Sequence, residues 1–235
     1  MTIEEIHNKI AKPVTAFTTG GFRPTNTIEE SWIGRVTAFN EDEEIPLDKY
    51  GDLMIPLMQL YLPNLPFVHN SIRNTKIITV FISKEFPECL EKMGENWIVR
   101  EYDNLDEIVI KKLVNPESFI QAFPLKAEFV EKDFPIWDGG GLSMEMEDEI
   151  IKLEDEGVID SYYDITDHVY EHKIGGYPSF CQSGIGDSDG FGDGFEFVFQ
   201  ISSDGKANLN VVDSGSLMFA KNEVTGEWSL YYDFY

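Results

Sequence analysis

Apolar residues recur at helical spacing most clearly in two stretches of this chain. Ile3, Ile6 and Ile10 fall on one face, and Thr2 with Glu5 has the spacing of a capping box. Pro13 ends that run, because the residue before a proline is pushed out of the α region. Met146, Ile150 and Leu153 form the second stripe, predicting a helix over 144–156. Ser143 is placed to cap it, Glu145, Glu147, Asp148 and Glu149 suit its positive end, and Gly157 suits its stop. Residues 85–96 and 104–113 carry weaker helical patterns. Elsewhere β-branched and aromatic residues dominate, punctuated by Gly, Pro, Asn and Asp. They predict strands over 53–62, 76–83, 97–102, 124–131, 195–202, 207–212, 215–220 and 227–234. Short turn-forming gaps pair 207–212 with 215–220, and 215–220 with 227–234, as hairpins. No regular strand–helix alternation appears, so the sheet should be antiparallel.

The chain also resembles itself at a shift of 141 residues. Asp48-Lys-Tyr-Gly-Asp52 leads into an apolar run containing Gln59, and Asp189-Gly-Phe-Gly-Asp193 leads into one containing Gln200. Ile33-Gly34 and Ile174-Gly175 keep the same offset. Ile77 to Phe81 matches Leu217 to Phe219 after a short deletion. Strict alternation would put Phe195, Phe197, Phe199 and Ile201 on one face, as Met54, Pro56, Met58 and Leu60 in the first copy. Gln59 and Gln200 would then point to the other face. Pro56 cannot donate to a ladder, so its strand should lie at an edge or carry a bulge. The expected fold is α+β: mainly antiparallel β, internally duplicated into two similar β-rich lobes, with a few peripheral helices. A single domain over 1–235 would comprise an N-terminal lobe at 14–117, a connecting strand and acidic helix at 118–160, and a C-terminal lobe at 161–235.

Several short motifs resemble the YwqG-like family, a bacterial domain family of unknown function. They are Trp32-Ile-Gly34, Leu57-Met-Gln59-Leu60, Leu62-Pro63, Thr75 to Ser83, His172-Lys-Ile-Gly-Gly-Tyr-Pro178 with Gln182, the strand around Gln200, and Val212 to Phe219. Together they span roughly residues 30–235. The resemblance implies an antiparallel α+β fold with duplicated halves and brings no established catalytic residue with it. It also hints at toxin–immunity neighbourhoods. Arg35 stands where the resemblance leads one to expect the second Gly of a Gly-Gly pair, and Asn210-Val-Val212 where a Trp-Gly pair would be typical.

Charge narrows the functional choices. Of 235 residues, 43 are acidic and 18 basic, a net −25 that repels phosphate backbones and argues against nucleic-acid binding. The excess is −7 over 1–117 and −18 over 118–235, and 142–171 holds eleven acids against Lys152 alone. No apolar run approaches the roughly 20 residues that span a bilayer. The acids of Met1-Thr-Ile-Glu-Glu5 do not suit a secretory leader, so a cytoplasmic location is expected. Cys89 and Cys181 make neither a disulfide framework nor a zinc cluster.

Four constellations could carry chemistry. His168-Val-Tyr-Glu171-His172 has the H-x-x-E-H order of inverted zinc peptidases, with His168 and His172 as ligands and Glu171 as general base, provided that it lies on a helix. Gly175-Gly176-Tyr-Pro178 follows at once and leaves little room for one. Cys181 near His172 would be a Cys–His nucleophile. Asp187, Asp189 and Asp193 suggest calcium, but an EF-hand loop from Asp189 would have Phe191 at position 3 and Gln200 at position 12, where acids are needed. Gln59 and Gln200, beside Trp32 and Tyr177, would hydrogen-bond a small polar ligand, a sugar or peptide, in a cleft between the lobes; alternatively they are buried amides that pin loops.

The reading that follows is a non-enzymatic binding module without cofactor. Its partner would be a basic protein met by the acidic 142–171 segment, in one form a toxin neutralised by charge complementarity. The alternatives are small-ligand binding at the glutamine cleft and metal-dependent hydrolysis through His168, Glu171 and His172.

Overall fold

The computed structural model describes residues 1–180 and 190–234. Its strands are β1 (Lys12–Thr19), β2 (Trp32–Ile33), β3 (Ala38–Asn40), β4 (Ile55–Tyr61), β5 (Ile77–Ile82), β6 (Trp97–Tyr102), β7 (Ile108–Ile110), β8 (Phe123–Asp133), β9 (His172–Gly175), β10 (Phe195–Ser202), β11 (Ser216–Asn222) and β12 (Trp228–Asp233). The helices are α1 (Ile3–Ile10) and α2 (Met144–Asp155). Ten strands form one sheet in the order β12-β11-β10-β9-β1-β8-β2-β4-β5-β6, while β3 and β7 pair separately. Every pairing is antiparallel.

The order reads alike outward from the central β1·β8 pair. Trp32 faces Gln59 and Ile33 faces Met58 between β2 and β4. Lys173 faces Gln200 and Ile174 faces Phe199 between β9 and β10. The register slips between Pro56 and Met58 in one arm and between Phe197 and Phe199 in the other. All of these positions differ by 141. At each slip an extra residue bulges, so strict alternation fails: Leu57 and Met58 both enter the core, as do Val198 and Phe199. β4 is internal, yet β2 pairs only with residues 58 and 59, so Pro56 blocks no ladder bond there.

The two arms curl over one core. Phe17, Ile33, Leu57 and Val80 share it with Phe199, Leu217 and Leu230. The rings of Phe199 and Phe219 stack at 4.5 Å, and Trp97 of β6 meets Phe219 of β11 at 6.0 Å. Glu101 of β6 ties the free edges together, accepting from Lys221 Nζ at 2.7 and 2.8 Å and from Trp228 Nε1 at 2.9 Å. Beside this core, Ile6 and Ile10 of α1 pack with Met146, Ile150 and Leu153 of α2, around Phe134 and Tyr162.

Both helices start where the caps predicted, at Thr2 with its reciprocal Glu5 contact and at Ser143. Three expectations are corrected. Residues 85–96 are turns containing Pro87 and Gly94, without a helix. Residues 104–113 hold one 3-10 turn, capped by Asn104, and then β7, because Ile108, Val109 and Ile110 favour extended backbone. Residues 207–212 are not a strand: Asn208 and Val212 take φ of +54°, and only Leu209 bridges back, to Asp204. The 215–220/227–234 hairpin does form, as β11 and β12, with Asn222 Oδ1 bonding the turn amides of Val224 and Thr225. β1 went unpredicted. It crosses the boundary drawn by sequence, since residues 14–17 of the first lobe pair with β9 of the second.

Candidate functional site

The most polar part of the interior is built on β9, whose four residues are all buried. Lys173 Nζ sits 3.0 Å from Asp133 Oδ2, donates to Val169 O and lies 3.3 Å from His168 Nε2. Asp133 and Val169 O are its two firm acceptors, and the more distant His168 Nε2 divides one lone pair between Lys173 and Ser179. Asp133, at the end of β8, also accepts from the amides of Val169 and Tyr177, each at 2.8 Å. Gly176 exists for this carboxylate: a Cβ there would lie 2.1 Å from Asp133 Oδ2, and its φ is +68°. Burial pulls Lys173 down to about 8, against the opposing pull of Asp133.

His168 Nδ1 donates to Phe134 O at 2.6 Å, since a carbonyl can only accept. Its Nε2 is therefore the acceptor, facing Ser179 Oγ at 2.7 Å. Burial, with Lys173 adding to it, lowers His168 to about 4. His172 is locked the other way round. Ser202 N donates to its Nδ1 at 3.0 Å, which assigns the proton to Nε2, 3.2 Å from Asp204 Oδ2. Asp204 is held well below the usual carboxylate range, first by that His172 bond and then by Thr19 and the Ala207 amide.

These contacts correct the zinc geometry. The segment before β9 is irregular rather than helical, so His168 and His172 do not share a helix face. Each imidazole is committed to protein partners, and Glu171 lies exposed between them. Among the described residues no three metal-ligating side chains gather. Cys181, Gln182, Asp187 and Asp189 lie outside the described residues. Cys89 has its thiol pushed up by burial and its Sγ directed to Tyr232 O at 3.4 Å.

Gln59 and Gln200 occupy matching environments, but not one cleft. Gln59 Oε1 accepts from the amides of Thr37 and Ala38, and its Nε2 donates to Glu30 O. Gln200 Oε1 accepts from Ser179 N, and its Nε2 donates to Tyr170 O and Glu171 O. Ala38 and Ser179, like Glu30 and Glu171, are again 141 apart. Both glutamines are buried, at 0% and 1% exposure, with their amides spent on backbone. Four strands separate β4 from β10, about 24 Å along the sheet at about 4.8 Å per strand. Trp32 pairs with Gln59 and carries the Arg35 guanidinium 4.4 Å above its ring. Tyr177 lies in the other arm, its hydroxyl bonded to Ile10 O.

The pH response of this interior follows from His168. The native state resists protonation down to about pH 4, whereas an unfolded histidine takes a proton near 6.5. The unfolded state thus binds more protons between those values, and stability falls as pH drops through that window. The expected loss is about 3 kcal/mol, at about 1.4 kcal/mol per unit. His168→Gln can still donate to Phe134 O and accept from Ser179. Denaturant titrations at several pH values should show the wild type losing stability more steeply than this variant. Parallel curves would assign the acid sensitivity elsewhere.

The outer surface contrasts with this interior. The buried stripe of α2 leaves Met144, Asp148, Ile151 and Asp155 along the opposite face. All four are exposed, and Val158 and Tyr163 continue the apolar exposure beyond the helix. Of the eleven acids in 142–171, Glu149 makes an ion pair among the described residues, with the N-terminal amine. Among the described residues no helix is long and apolar enough to cross a membrane. No curated protein matches the chain. A family model described as a domain of unknown function, DUF1963, matches residues 31–223, which include every strand from β2 to β11 and leave out α1, β1 and β12; the chain belongs to that family.

Proposed function

We propose that this chain is a non-enzymatic binding module of YwqG-like type whose α2 face docks a basic protein partner. The observation that carries the reading is the face itself: exposed Met144 and Ile151 alternate with Asp148 and Asp155, which make no ion pair among the described residues, on a helix anchored by a separate apolar cluster. Acids there steer a cationic partner from a distance, and the apolar residues supply contact area after encounter. Neutralisation of a basic toxin in the cytoplasm is one role that uses such a face. A binding role is also supported by the interior, where His168 and Lys173 are engaged in hydrogen bonds within the fold. The matched surroundings of Gln59 and Gln200 support descent of the two arms from one copied unit.

The test is affinity capture from the native host with the wild type and with an Asp148→Lys/Ile151→Glu/Asp155→Lys variant. These surface changes should alter stability by less than about 1 kcal/mol. A basic protein retained by the wild type, released by salt and lost from the variant is the expected result. Equal retention by both would remove α2 from the interaction.

A further inference from the structure

We propose a second binding site, independent of α2: a cleft in the first arm that takes an organic carboxylate carrying an apolar body. The cleft encloses about 410 Å³ between the segment after β2 and the stretch 112–122. Arg35 and Lys112 line it, and none of its lining residues is an acid. In a chain with net −25, this reverses the local sign of charge. Neither cation makes an ion pair among the described residues.

The guanidinium is pre-set for a planar anion. Its Cζ lies over Trp32, 4.4 Å from the ring centroid, and it donates one Nη1 bond, at 2.7 Å, to Asn26 Oδ1. Held by these two contacts, it keeps further N–H donors for a carboxylate, and an arginine fixed in advance loses less freedom on binding. Lys112 is exposed and adds a mobile point charge. Ser118, in the same wall, has a buried hydroxyl without a hydrogen-bond partner among the described residues, and buried polar groups seldom stay so. Val36, Pro56, Leu113 and Ile120 make the rest of the wall apolar, which favours an anion with a hydrocarbon body over a bare inorganic ion.

The second arm is built differently at this point. The position 141 residues beyond Arg35 is Gly176, where the Asp133 carboxylate excludes any side chain. In the first arm the corresponding position carries a cation, Arg35.

The probe is 2-naphthoate, with 2-naphthalenemethanol as its neutral counterpart, titrated calorimetrically into the full chain at low ionic strength. The expected result is saturable one-to-one binding of the carboxylate, at least about tenfold weaker binding of the alcohol, and a comparable loss in Arg35→Ala and Lys112→Glu. Lys112→Glu tests the site without disturbing the fold, because Lys112 has no intramolecular partner among the described residues. No saturable binding to the wild type, equal affinity for acid and alcohol, or unchanged affinity in Lys112→Glu would each overturn the proposal. None of these outcomes depends on whether α2 binds a protein.

Discussion

Lys173→Met should lower the unfolding free energy by about 3–5 kcal/mol, the cost of stranding a buried charge. Methionine fills the stem of the lysine with little change in volume, so packing contributes little. What remains is the Asp133 carboxylate, fully buried, with two backbone amides and no cation. The double variant Lys173→Met/Asp133→Asn removes the stranded charge and should recover a substantial part of the loss. Asparagine can still accept one of the two amide bonds. Chemical denaturation of the single and double variants measures both effects. A single variant within about 1 kcal/mol of wild type would mean that the pair adds nothing to stability, and a double variant no better than the single would locate the cost in packing.

Gln59→Leu and Gln200→Leu should each cost about 2–4 kcal/mol, and by similar amounts. Either change strands buried amides at about 1–3 kcal/mol apiece, while the carbonyls it frees are only part-buried and cost less. For Gln59 these are the amides of Thr37 and Ala38 and the carbonyl of Glu30; for Gln200, the amide of Ser179 and the carbonyls of Tyr170 and Glu171. Glutamate should not rescue either position, since one of its oxygens would face those carbonyls. Matched losses in denaturation midpoint would fit two arms that use glutamine as the same internal brace. A large loss at one position and none at the other would break that equivalence.

Local chemistry made part of this fold legible. Caps at Thr2 and Ser143 and the stripe Met146, Ile150, Leu153 located both helices, because capping is settled within four residues. The long apolar strands announced themselves, and the predicted strand 195–202 coincides with β10. The offset of 141 singles out Gln59 and Gln200 from the sequence alone. What stayed hidden depends on distant partners. β2 and β9 have two and four residues, too few for a pattern, and form because longer strands flank them. α1 does stop ahead of Pro13, at Ile10, but β1 begins at once and takes Pro13 in, with the register slipping between Lys12 and Val14. The Val14-Thr-Ala-Phe-Thr-Thr19 run, rich in β-branched residues, was the available signal. Lys173 looks like an ordinary exposed strand lysine until Asp133, forty residues earlier, is placed beside it. Arg35 stands out in the sequence only as a departure from a glycine pair, and its cleft needs residues 112–122 to exist.

The placement of β1 has a consequence for synthesis. Its two neighbours in the sheet are β8, at Phe123–Asp133, and β9, at His172–Gly175. A nascent chain released as far as residue 117 therefore carries a strand with both edges open, and the first arm still lacks β8. Neither arm can close on the ribosome in its own time. The molecule must hold an unpaired, aggregation-prone ribbon until more than half of it has been translated, and a cut between the arms yields two fragments that each hold a strand belonging to the other.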